Sequence, residues 1–170
     1  MKRDWTVAEI MAILRTTVDR VEELTATASS AELAPAGYDD DWSIAAVLAH
    51  LLACNDVLGG AMLRILAEDH PSWRASSPRA WQVKSGYHDR AFDTLFAAFR
   101  KGRAQLLEVL EVQAPEAWER TATVIVPPNR VDERSVRYYG EWLAQHEGTH
   151  VKDLGRRSKA RTARVSLVGS

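Results

Sequence analysis

Residues 42–68 begin Trp42-Ser43-Ile44-Ala45-Ala46-Val47-Leu48-Ala49-His50-Leu51-Leu52-Ala53-Cys54 and continue through Asn55-Asp56 and Gly59-Gly60 to Glu68. Ile44, Val47, Leu48, Leu51, Leu52, Leu58, Met62, Ile65 and Leu66 keep a helical spacing. Their apolar arc is wide, so this second helix should be the most buried one. Asp41 or Ser43 is its expected N-cap. Gly59-Gly60 weakens it by about 1 kcal/mol per glycine relative to alanine, a cost that close packing would explain. His50 stands in its most apolar part, beside Ala46, Ala49 and Ala53, where a polar ring needs partners for its nitrogens.

Three more helices surround this one. Thr6-x-x-Glu9 reads as a capping box, and Val7, Ile10, Met11, Leu14, Val18, Val21 and Leu24 form one stripe, predicting a helix over 6–29. Phe92, Leu95, Phe96, Phe99, Leu106, Leu107 and Leu110 predict a third over 88–112, with Arg103 where the stripe expects an apolar residue. The fourth starts near Asp132 or Ser135 and ends near Gly155, its inner stripe reading Tyr139, Leu143, His146, His150 and Leu154. Residues 69–87 hold Pro71, Pro78, Gly86 and no period. Such a connection is unusually long, and Trp73, Trp81 and Tyr87 suit it to the wall or lid of a pocket. Thr121–Val126 alternates like a strand but is too isolated to found a sheet. The expected fold is all-α: a four-helix bundle over residues 1–155, a long loop between helices two and three, and a basic tail over 156–170.

The chain has 170 residues, 46% hydrophobic and 26% charged, which fits one domain with its own core and excludes a disordered or collagen-like chain. No apolar run approaches the ~18 residues of a membrane helix, so no membrane partner is expected. Met1-Lys2-Arg3 is not followed by the apolar stretch of a secretory signal. Cys54 is the only cysteine; it excludes an internal disulfide and fits a reducing, cytoplasmic setting. The net charge of −1 argues against nucleic-acid binding, and no DNA-binding module is visible. From Lys152 onward six basic residues meet one acid, so that segment is +5 and the remainder −6. A solvated or docked tail is the plain expectation, and contact with an anionic partner the sharper one. Phosphate-loop, zinc-finger and Ser-His-Asp patterns are absent.

His146 and His150 share a helix face, with Cβ atoms about 6 Å apart. Two imidazoles so placed can reach one metal at about 2.0–2.1 Å. Both lie on the stripe that should face the core. If the second and fourth helices meet there, His50 joins them, and three protein ligands leave coordination positions open for water or substrate. Buried, hydrogen-bonded structural histidines are the alternative. Cys54, four residues after His50, is a ligand, a nucleophile or a small core residue. Asp153 either orients a ligand or acts as a base, or is solvated near the helix end. Arg103 either binds an anion or packs its stem and extends its head to solvent. Tyr139 lines a pocket or packs the core, Trp73 and Trp81 are candidates for an aromatic pocket, and His70 and His88 read as surface residues.

Trp42-Ser43, then Leu48-Ala49-His50-Leu51, then His146-x-x-x-His150 resembles the DinB/YfiT-like superfamily across most of the chain. The resemblance implies an up-down-down-up bundle, often a homodimer, with a divalent metal on His50, His146 and His150. Characterised members include S-transferases and isomerases that use mycothiol or bacillithiol, and a few hydrolases. Here the resemblance implies a metal-dependent enzyme, with zinc or nickel suiting imidazole donors and a low-molecular-weight thiol as co-substrate for a small electrophile. Two positions depart from the family: Asp153 stands where a glutamine is frequent, and Cys54-Asn55-Asp56 stand where acidic residues are frequent. The rival expectations are a hydrolase on the same site, a non-catalytic stress or ligand-binding bundle, and an interaction protein that uses its basic tail.

Overall fold

The Ser43 hydroxyl caps the central rod by accepting the Ala46 N–H at 3.1 Å. The rod comprises α2 (Ile44–Cys54), a π-helical turn (Asn55–Gly59) and α3 (Gly60–Ala67). In this computed structural model residues 5–35 and 43–168 are described, with side chains to residue 164; Asp41 and Trp42 lie outside them. Ten of the eleven α2 residues are buried. By length and apolarity Ile44–Ala67 would qualify as a membrane span, but 83% of its most apolar window is inside the protein. It is the core element of the bundle.

The capping box forms as expected: Thr6 Oγ1 accepts the Glu9 N–H, and Glu9 Oε2 accepts the Thr6 N–H. It starts α1 (Val7–Thr25). The helix stops short of residue 29 because Ser29 and Glu32 cap a separate turn in the same reciprocal way. After the rod come β1 (Ser72–Arg74), α4 (Pro78–Lys84), α5 (Phe92–Leu110), β2 (Thr121–Val126), β3 (Arg130–Ser135) and α6 (Val136–Val168). The rod packs on α5 and α6, and α1 also packs on both of these helices. Gly59 lets α5 approach, since a Cβ there would stand 2.9 Å from Leu106 Cδ2.

Three expectations need correction. Thr121–Val126 is the centre of a three-stranded sheet, parallel to β1 and antiparallel to β3, so the fold is mostly helical rather than all-α. The sheet was hidden because β3, Arg130-Val131-Asp132-Glu133-Arg134-Ser135, is charged and has no apolar alternation; Asp132 sits between Arg130 and Arg134 and ties it together. The connection over 69–87 carries β1 and α4 and is not a structureless loop. The last helix passes Gly155 and runs to Val168. Asp153 pairs with Arg156 and Arg157 one turn on, and Arg161 donates to the Leu24 carbonyl at 2.7 Å and faces Glu32. The basic segment through Arg161 is therefore docked against the end of α1, which spends part of its charge.

Candidate metal centre

His50 from α2 and His146 and His150 from α6 meet in one group. Their ligand nitrogens all lie within 4.8 Å of one another. His146 Nε2 is central, 2.8 Å from His50 Nε2 and 3.2 Å from His150 Nε2. Helix periodicity explains the second contact, and the close approach of the apolar rod to α6 explains the first. Nitrogens bound at about 2.0–2.1 Å to one tetrahedral ion stand about 3.3 Å apart, so this donor set fits a divalent cation.

Protonation favours the same reading. Burial, with His150 and His146 as neighbours, pushes His50 down to about 4. Burial and His146 push His150 down to about 4, and burial also lowers His146. At neutral pH the rings are uncharged and keep lone pairs for ligation. Gln82 of α4 fixes the tautomer of His50: its Oε1 lies 3.3 Å from Nδ1 and accepts that N–H, leaving Nε2 as the donor to the cluster. Gln82 is buried. It escaped sequence reading because it lies in the segment expected to be a loop.

Arg103 neither binds an anion from outside nor reaches solvent. It is 1% exposed and pairs with Glu147, which is 0% exposed. Its Nε donates to Asn55 Oδ1 at 2.9 Å, and one terminal nitrogen donates to both the Leu14 carbonyl and Glu147. This network ties α1, the π turn, α5 and α6 together directly beside His146. Gly102 makes room for it, because a Cβ there would fall 2.9 Å from the Asn55 amide nitrogen. Glu147 was missed: between His146 and Gly148 it reads as an ordinary helix-surface acid, and only its place one turn after Leu143, on the same face, hinted otherwise.

Cys54 is a fully buried core residue, with its sulfur 3.5 Å from His50 Nε2. Burial, reinforced by Glu147, pushes its thiol far up, so it stays protonated. Asp153 is held by Arg156 and Arg157 rather than directed at the histidines. His70 is exposed and bonds Thr123, but His88 is buried beside Asp89. The turn at 87–89 folds it inward against α2. Tyr139 is buried and stacks on Trp73.

The π turn has a second role. Past the buried Asn55, Asp56 Oδ2 accepts the Trp81 indole N–H at 3.1 Å and the Tyr87 hydroxyl at 2.6 Å. Two aromatics of the α4 segment are thereby fastened to the rod, and this anchorage also holds Gln82 over His50. Burial and the bond to Asp56 raise the Tyr87 pKa.

Two solved structures share the fold. YfiT from Bacillus subtilis, a probable metal-dependent hydrolase with an unusual four-helix bundle topology, is 15% identical with a TM-score of 0.68, covering 92% of both chains. A mycothiol-dependent maleylpyruvate isomerase is 17% identical with a TM-score of 0.66; the match covers 91% of this chain and 64% of the isomerase. No curated protein matches the sequence. Residues 13–154, most of the chain, match the DinB superfamily. The chain belongs to the DinB superfamily.

Proposed function

We propose that this chain is a metal-dependent enzyme that holds a divalent ion on His50, His146 and His150 and transfers a low-molecular-weight thiol to an electrophilic small molecule. The observation that carries the metal reading is the convergence of three neutral imidazole nitrogens, one of them fixed in tautomer by Gln82. When bound, zinc or nickel would supply Lewis acidity, lowering the pKa of a thiol or water in an open position.

The chain's own residues narrow the chemistry. Cys54 remains a protonated thiol in the core, so the sulfur nucleophile must come from a co-substrate. Arg103 is committed to Glu147, and Asp153 to two arginines, so neither is free to act on substrate. The residues at the centre therefore hold and orient the ion, and the incoming thiol brings the reactive atom. In the transfer its S–H proton passes to solvent water, sulfur bonds to the electrophilic carbon, and the displaced electron pair leaves with a leaving group or takes a proton back from solvent. The fold shared with the mycothiol-dependent isomerase supports this reading.

The test is elemental mass spectrometry on protein purified without chelator. Near-stoichiometric zinc or nickel, lost in His146→Ala, supports the centre, and thiol consumption is then assayed with mycothiol or bacillithiol and an electrophile. Absence of metal, with no thermal shift on adding zinc, nickel or manganese, refutes it. Turnover without any thiol would favour hydrolysis, a second reading that the likeness to YfiT supports.

A further inference from the structure

A cleft of about 680 Å³ opens between the rod, the small sheet and α6. It has the size of a small-molecule site, and none of the three histidines lines it. It is nevertheless continuous with their supports along the chain. Trp142, in its wall, precedes His146 by one turn of α6, and Trp81, also in its wall, precedes Gln82.

Its lining has two characters. Trp73, Trp81 and Trp142 come from three different elements; Trp73 already stacks on Tyr139 and carries Arg64 on its ring, Trp81 carries Lys84, and Trp142 is 37% exposed despite its size. Between them stand Arg64, Arg74 and Arg134 against a single acid, Asp56. Asp56 is occupied by Trp81 and Tyr87. Arg64 pairs with Glu68, and Arg134 shares Asp132 with Arg130. Arg74 makes only a long 3.5 Å bond to the Pro128 carbonyl and no ion pair among the described residues. Arg134 is nine-tenths buried, and its Nε–H has no acceptor among the described residues. With Arg130 counted, four guanidinium groups stand against the carboxylates of Asp56, Glu68 and Asp132, so the aromatic lining is joined by an excess of one positive charge.

We propose that this cleft binds a small organic carboxylate with a planar apolar body. Trp142 takes the flat body by stacking, with Trp73 and Trp81 walling it in. Arg74 takes the carboxylate, since a guanidinium fork matches carboxylate geometry. One free charge suits one carboxylate better than a doubly charged phosphate ester. As the substrate-holding part of the metal centre this assignment rests on the enzyme reading above; as a binding site it does not.

The test is a titration of the full chain, treated with chelator, with trans-cinnamate and with the uncharged cinnamamide, following the indole N–H signals of Trp73, Trp81 and Trp142 by nuclear magnetic resonance. The expected result is a saturable shift of these three signals, with cinnamate binding at least tenfold tighter than the amide. Arg74→Gln, at an exposed position, should remove that preference while the protein stays folded. No saturable shift, equal affinity for acid and amide, or an unchanged preference in Arg74→Gln overturns the proposal. Binding that appears only after zinc is added would put the carboxylate on the metal centre and overturns it as well. The metal content that tests the enzyme reading does not enter this titration, so either reading can fail alone.

Discussion

The Arg103 guanidinium and the Glu147 carboxylate meet through paired hydrogen bonds in the middle of the bundle, their side chains 2% and 0% exposed. Removing one member of such a pair leaves a buried charge without its partner, at a cost of about 3–5 kcal/mol. Glu147→Gln and Arg103→Met should each lower stability by about that amount in urea unfolding. The double variant Arg103→Met/Glu147→Leu should recover much of the loss, because well-packed apolar replacements of buried pairs are often neutral. Additive losses in the double variant would contradict this account.

Gln82 offers no atom to the metal group itself, but by accepting the His50 Nδ1–H it fixes that ring's tautomer. Gln82→Ala should weaken zinc affinity by about 10–100-fold, the usual effect of losing a group that orients a metal-bound histidine. Competition against a chromophoric chelator measures this. Affinity equal to that of the unmutated protein would show that Gln82 does not orient the ring.

The depressed histidines make the metal-free protein acid-sensitive. The unfolded chain takes up protons near pH 6.5, whereas folded His50 and His150 do so only near 4. Between those values the unfolded state binds more protons, so stability falls as pH drops through that window. Urea midpoints of the metal-free protein should decline from pH 7 to 4.5, and His150→Gln should flatten the slope. A midpoint constant over that range would refute the shifts.

Cys54 should be inert in the folded protein. Its reaction with a disulfide reagent at pH 7.5 should be slow until denaturant is added. Cys54→Ala should keep at least half of any thiol-dependent activity, since the thiol is a protonated core group. Rapid labelling of the native chain, or loss of turnover in a folded Cys54→Ala, would assign the sulfur a chemical role.

The parts of the fold readable in advance were those with strong local signals. The Thr6–Glu9 box, the apolar rod and the i, i+4 histidines are each decided within a few turns of chain, and the rod's burial carried His50 toward the other two. The parts that were not readable depend on distant partners. β3 is a strand because Thr121–Val126 pairs with it across the hairpin. Glu147 is buried only because Arg103 arrives from α5, and Gln82 points inward only because Asp56 anchors its neighbour Trp81. Helix α6 outlasts Gly155 because its later side chains find Leu24 and Glu32 at the end of α1. For Glu147, Gln82 and the end of α6 the deciding partner lies far away in sequence, and for β3 it lies across a hairpin from a charged strand; in neither situation does local apolar periodicity carry the information.

The π turn at Asn55–Gly59 acts as a phase shifter. Each residue of a regular helix advances the face by about 100°, and a π turn absorbs a single extra residue within the same rod. Upstream, the phase is set by His50 and Cys54 facing the centre; downstream, by Met62 and Ile65 in the core. Wound as an ordinary α-helix with the same residues, the rod would have these two halves about 100° out of step. Either the histidine or the core side chains would then turn away from their partners. One irregular turn is thus what lets a single uninterrupted rod serve two surfaces whose spacing does not match the α-helical repeat.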